Sequence, residues 1–281
     1  MVESRTGELH YARFLTRWKN IAELRNEKIT LILSPHLDDI FLSLYETMTS
    51  DRLGKNIIGV SFFTASDSTV KTNMSTTFST IAKMSILRMK EELAFAESMF
   101  LQDVNYLPVF MGLKDASIEK YYKFIASGAI GKLSNGKMKG VVLKLYDRMV
   151  DSYARELVAG DAIAPLLNQF KSNIKSVLVP MGVGTHIDHG VISRLAREMP
   201  PSVKTGVYAE IPYVYLSGNM TLDRLRRKSP AGFSKAMVTK FDPVEKDRLM
   251  RKIYGSQYEK RMKEAIFASG RGLGEVIFWK D

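Results

Sequence analysis

Apolar residues recur along this chain in two alternating rhythms, one with helical spacing and one in short unbroken runs. Phe14, Trp18 and Ile21 share one helical stripe, which predicts an amphipathic first helix over about 10–26. The period breaks at 29–34 (Ile-Thr-Leu-Ile-Leu-Ser), a run that reads as a buried strand ending at Pro35. Ile40, Leu44 and Met48 then restore the helical spacing from about Asp39. A second buried strand is predicted at 57–63, closed by a polar turn over 64–69. Met89, Leu93, Ala96 and Phe100 mark a helix over 85–100, and 104–110 reads as a third strand.

Further along, 115–126 and 141–170 have helical character on either side of a Gly- and Lys-rich loop at 128–140. A short strand at 176–179 stops at Pro180, and a helix follows over 188–199. A strand at 206–211, one long helix at 243–266 and a terminal strand at 275–279 complete the pattern. Strands that alternate with helices predict an α/β fold, a mostly parallel sheet flanked by helices on both faces in a Rossmann-like manner. The 281 residues, 45% of them hydrophobic, suffice for one domain spanning 1–281, with the elements at 243–281 packing on that same domain. In such sheets ligands gather at the carboxyl ends of the strands, where the strand order reverses.

Two polar clusters sit where that rule directs attention. His36, Asp38 and Asp39 follow the first strand; His186, Asp188 and His189 follow the one ending at Pro180. The chain has only four histidines, and three of them lie in these clusters beside three aspartates. Imidazole plus carboxylate suits Zn²⁺ or Fe²⁺ better than Mg²⁺ or Ca²⁺, which prefer oxygen alone. Three protein ligands would leave a position open for water or substrate, as in a catalytic site. His186 and His189, three apart, share a face at a helix start. Spacing alone leaves the division between ligands and acid–base groups open. With no cysteine, thiolate sites and disulfides are excluded.

The run Ser34-Pro35-His36-Leu37-Asp38-Asp39 resembles the (A/P)-H-P-D-D signature of the PIG-L/LmbE family of zinc-dependent N-acetylglucosamine deacetylases, and His186-Ile187-Asp188-His189 resembles its H-P-D-H signature. Weaker similarities follow in order. Arg88 to Glu91 resembles an Arg-x-x-Glu helix, Tyr208 to Tyr213 a Tyr-Glu-Asp-Leu-Pro-Tyr segment, and Tyr254 to Gln257 a Tyr-x-Ser-Gln helix end. Leu37 and Ile187 replace signature prolines, Ile40 stands where many members have Glu, and the Asp-Gly that often follows the third strand has no counterpart after Val109.

The resemblance implies an LmbE-like fold and removal of an N-acetyl group from a sugar or sugar conjugate. It implies that His36, Asp39 and His189 bind Zn²⁺, with Fe²⁺ as the other candidate. Asp38 would be the general base, His186 would stabilise the oxyanion, and Asp188 would orient His186. Arg88, Thr64, Ser66, Asp67 and Tyr213 are candidates for substrate contact. Arg88 reads equally well as a helix pair with Glu91 or Glu92, and the residues of the 64–69 turn as ordinary turn formers.

The net charge of +11 tilts the expected substrate towards an anionic glycoconjugate, although the late basic run reads largely as a solvated helix face. A non-catalytic basic protein that holds nucleic acid or acidic glycan is an alternative, but no nucleic-acid motif is present and no nucleic acid is expected. A non-haem iron oxygenase is a second alternative; its two-histidine, one-carboxylate triad usually rides on an antiparallel barrel. The polar N-terminus and the absence of a long apolar stretch fit a cytoplasmic chain with no transmembrane segment. Homo-oligomerisation is compatible with the sequence.

Overall fold

The computed structural model describes residues 27–66, 78–114, 173–183, 186–216 and 220–281. The predicted helix at 10–26, the segments at 115–126 and 141–170, and Asp67 lie outside the described residues. One seven-stranded sheet organises the molecule: β1 (Ile29–Ser34), β2 (Asn56–Ser61), β3 (Asn105–Phe110), β4 (Ile174–Pro180), β5 (Lys204–Tyr208), β6 (Phe233–Thr239) and β7 (Glu275–Lys280). Its spatial order is β3-β2-β1-β4-β5-β7-β6. The first five strands run parallel, and β7 and then β6 are added antiparallel to their neighbours. This is the predicted mostly parallel α/β sheet.

Among the described residues the helices are α1 (Asp39–Thr49), α2 (Phe78–Phe100), α3 (Ile187–Glu198), α4 (Tyr213–Leu216), α5 (Leu222–Lys228), α6 (Pro243–Ile253) and α7 (Lys260–Arg271). The buried runs of β1, β2 and β4 are apolar on both faces because helices flank the sheet. Close packing shows at Gly59 in β2, where a Cβ would lie 2.3 Å from the Tyr106 hydroxyl. Only glycine lets that ring lie flat against the strand.

Strand order places the site. The chain winds from β1 outward to β2 and β3, then returns to the other side of β1 with β4 and β5. The order therefore reverses between β1 and β4, which are adjacent and parallel. Both histidine clusters leave the carboxyl ends of these two strands, so one crevice receives both.

Four elements differ from the sequence pattern. The long helix predicted at 243–266 is two helices, α6 and α7, broken at Tyr254–Glu259. There the Ser256 N–H and hydroxyl both donate to the buried Glu91 carboxylate, at 2.8 and 2.6 Å, so tertiary bonds replace the helical ones. Strand β6 and helix α5 carry no strong period; β6 is a sheet edge whose central residues face solvent. Helix α2 begins about two turns before the predicted start.

Candidate metal centre

The first cluster is built on the turn between β1 and α1. The Phe62 and Phe63 N–H groups donate to the Ser34 and Pro35 carbonyls, which pins the turn to the end of β2. The Ser34 hydroxyl donates to the His36 carbonyl at 2.7 Å, and the His36 N–H donates to Asp39 Oδ2 at 3.0 Å. Leu37 and Ile40, which stand where the signature has Pro and Glu, are buried in the core. Their side chains anchor the turn and leave the polar groups between them facing the crevice. Ile187 does the same at the start of α3.

The second cluster opens α3, with His186 at the N-cap, Asp188 in the first turn and His189 one turn along. An acidic residue in a first turn is favoured by the helix dipole. The three imidazoles gather closely. Ring centroids lie 5.0 Å apart for His36 and His186, and 5.2 Å apart for His36 and His189 and for His186 and His189.

Within this cluster one oxygen is the meeting point. Asp39 Oδ2 lies 3.3 Å from His36 Nδ1 and 3.5 Å from His189 Nε2. Burial alone would raise the Asp39 carboxyl, but the neighbouring His189 and His36 outweigh it and hold the group well below the usual carboxylate range. His189 Nε2 is buried with no hydrogen-bond partner among the described residues. A buried ring nitrogen turned towards a carboxylate without a hydrogen bond fits a metal ligand. Ligand arms of ~2.0–2.1 Å in a tetrahedron put the ligand atoms roughly 3.3–3.4 Å apart, so the observed spacings fit Zn²⁺. The donor set of two imidazoles and one carboxylate suits Fe²⁺ as well.

The remaining predicted residues are placed as follows. Asp38 adjoins this group, and Asp38 Oδ1 accepts from the Arg88 guanidinium at 3.1 Å. Arg88 is buried; beside its bond to Asp38, its charge also acts on the Glu91 and Glu92 carboxyls. Asp188 Oδ2 lies 3.1 Å from His36 Nε2 and 3.8 Å from His186 Nδ1, closer to the first ring than to the second. His186 is the one imidazole of the three with a substantially accessible side chain, at 28% against 0% for His189. Tyr213 meets His189 edge-on at 4.5 Å between centroids and approaches His186 at 6.0 Å. Burial first, and Asp39 and Asp38 next, raise its hydroxyl pKa well above the usual value, so it stays protonated.

Thr64 and Ser66 are buried with structural partners. The Thr64 hydroxyl accepts the Gly112 N–H at 2.9 Å, and the Ser66 N–H donates to the Ser85 hydroxyl. Both bonds tie the loop after β2 to its neighbours, so the turn-forming role is the one these contacts display.

Two groups at the site escaped the reading of the sequence. Glu210, fully buried just beyond β5, accepts from the Met181 N–H at 3.1 Å and the Gly182 N–H at 2.8 Å and lies 3.2 Å from His189 Nδ1. Glu92, fully buried on α2, accepts from the Tyr106 and Tyr254 hydroxyls at 2.5 Å each. Burial is the main cause that pushes the Glu92 carboxyl up to about 8, with Asp38 adding to it. A buried acid inside a helix was the only available signal for Glu92. For Glu210 it was an acid flanked by apolar residues at a strand end.

No protein-family profile matches this chain, and no curated protein matches it in sequence. Solved structures do match. The zinc-inhibited form of a teicoplanin deacetylase is 17% identical, with 90% of this chain and 97% of that one aligned and a TM-score of 0.52. A triple mutant of a deacetylase from the teicoplanin biosynthetic pathway is also 17% identical over the same shares, with a TM-score of 0.51. The chain has the fold of these deacetylases. The LmbE-like architecture implied by the two histidine signatures is thus present. Its mostly parallel sheet differs from the antiparallel barrel usual for the oxygenase alternative.

Proposed function

We propose that this LmbE-like chain is a metal-dependent hydrolase that removes an N-acetyl group from an N-acetylated sugar or sugar conjugate. The observation that carries this reading is the convergence of His36, Asp39 and His189 on one buried point, with Asp38 and the accessible His186 beside it. His36, Asp39 and His189 would hold the ion, which is Zn²⁺ or Fe²⁺. When bound, such an ion lowers the pKa of a coordinated water to about 7 and polarises a carbonyl oxygen.

The protein's own groups supply the rest. Asp38, held in place by Arg88, accepts a proton from the attacking water and returns it to the departing amine. His186, reached from solvent and cationic in this role, donates to the carbonyl oxygen as negative charge develops there. A donor of this kind contributes about 10²–10³ in rate. Asp188, between His36 and His186, steadies both rings. Tyr213 packs edge-on against His189 and helps keep that ring from bulk water. The excess of positive charge, with Arg224, Arg226, Arg227 and Lys228 exposed on α5, favours an anionic glycoconjugate.

The test is release of free amine from a panel of N-acetylated sugars and sugar phosphates, comparing the native protein with Asp38→Asn. Turnover that depends on added metal and is lost in Asp38→Asn supports the proposal. Unchanged turnover in the variant refutes the assigned base. No amine from any substrate at full metal occupancy argues against the deacetylase reading itself.

A further inference from the structure

Glu210 has no part in the chemistry outlined above, yet it is a fully buried acid whose partners are two backbone N–H groups and the His189 ring. Its Oε2 accepts the Met181 N–H, and its Oε1 accepts the Gly182 N–H. Both oxygens therefore accept from backbone N–H groups. With both oxygens accepting, the ring nitrogen 3.2 Å from Oε1, His189 Nδ1, is the one placed to donate. In a neutral imidazole this leaves the lone pair on Nε2, which faces Asp39 Oδ2 across 3.5 Å.

We propose that Glu210 is the positioning residue of the metal centre. It fixes His189 as the Nδ1–H tautomer, turns Nε2 inward as a ligand, and raises the basicity of that nitrogen. The inference rests on the metal-dependent reading of the site and deepens it.

Two further features support the assignment. Gly182 adopts a left-handed backbone, φ +73°, and a Cβ there would lie 2.7 Å from the Ser193 Cβ. The local chain thus takes a conformation that only glycine tolerates well, and in it the N–H points at Glu210. The opposite histidine has the same arrangement, with His36 Nε2 on Asp188 Oδ2 at 3.1 Å and Nδ1 towards Asp39. Each candidate imidazole ligand is therefore backed by a carboxylate on its outer nitrogen. Backing groups of this kind typically contribute roughly 10–100-fold to metal affinity.

The experiment measures Zn²⁺ affinity of the full chain by competition with a chromophoric chelator, for the native protein, Glu210→Gln and Asp38→Asn. We expect Glu210→Gln to bind Zn²⁺ about 10–100-fold more weakly. Its thermal midpoint without metal should fall, because the amide NH2 faces one of the two N–H donors, but it should still unfold cooperatively, and its activity should be recovered at high Zn²⁺. Asp38→Asn should bind as the native chain does. Native-like affinity in a folded Glu210→Gln overturns the inference and leaves the deacetylase proposal standing. A native chain that binds no Zn²⁺ or Fe²⁺ overturns both.

A measurement on the unsubstituted protein covers the case in which the variant does not fold. With only four histidines, ¹⁵N spectra of the Zn²⁺-loaded chain can be resolved ring by ring. Hydrogen on His189 Nδ1 with metal on Nε2 supports the inference, and metal on Nδ1 overturns it.

Discussion

Arg88 and Asp38 form a buried ion pair, Nη2 to Oδ1 at 3.1 Å, between the middle of α2 and the turn before α1. Helix α2 thereby reaches the proposed base. Loss of one partner strands a buried charge, which costs about 3–5 kcal/mol. Arg88→Met is therefore expected to lower the denaturant midpoint sharply and to reduce turnover. Asp38→Asn keeps a hydrogen-bond acceptor for Arg88, so it should lose roughly 10²–10⁴ in kcat while retaining more of the fold. Equilibrium unfolding together with steady-state kinetics separates the two effects.

Glu92 provides a stability signature in pH. Its carboxyl is pushed from an ordinary 4.5 up to about 8, chiefly by burial. The folded state thus holds a proton that the unfolded state releases between those values. This contribution is complete below about 4.5 and is lost as pH rises through about 8. Thermal unfolding of the native protein should show the decline across this window, whereas Glu92→Gln, neutral throughout, should flatten it. Parallel pH profiles for the two proteins would contradict the assignment.

Metal occupancy should be visible without any substrate. A ligand that binds only the folded state stabilises it by about 2.7 kcal/mol at a hundredfold excess over Kd. Zn²⁺ is therefore expected to raise the melting temperature of the native chain and a chelator to reverse the rise. His36→Ala and His189→Ala should abolish the shift.

Gly182→Ala tests the loop that presents its N–H to Glu210. The φ of +73° and the 2.7 Å approach to Ser193 leave a methyl group no unstrained position. Strain of this kind costs about 1–3 kcal/mol. The expected result is a lower melting temperature together with weaker metal binding, both read by differential scanning fluorimetry with and without Zn²⁺.

Lys246 shows how a charge pattern can mislead. Arg248, Arg251, Lys252, Lys260, Arg261 and Lys263 do lie on exposed faces of α6 and α7, as the pattern suggests, but Lys246 is fully buried. Its Nζ donates to Glu275 Oε1 at 2.5 Å, and Glu275 also accepts the Glu46 and Thr47 N–H groups of α1. The pair locks α6, α1 and β7 together. Glu275→Leu would leave that buried ammonium without its counter-charge, a loss of about 3–5 kcal/mol in chemical denaturation.

By itself the sequence determined the parallel sheet and the two histidine clusters. Both are local consequences: an apolar run of strand length buries on two faces, and residues just after it must emerge at the rim. His36, Asp38, Asp39, His186, Asp188 and His189 were legible as one candidate group for that reason, while their division into ligands and acid–base groups came from the resemblance. Only the tertiary structure decided which group backs which. Asp188 lies 152 positions from His36, Arg88 lies 50 from Asp38 and Glu210 lies 21 from His189. No periodicity links such partners. Their pairing is decided by the packing of α2 and α3 on the sheet and by the demand of every buried charge for a partner.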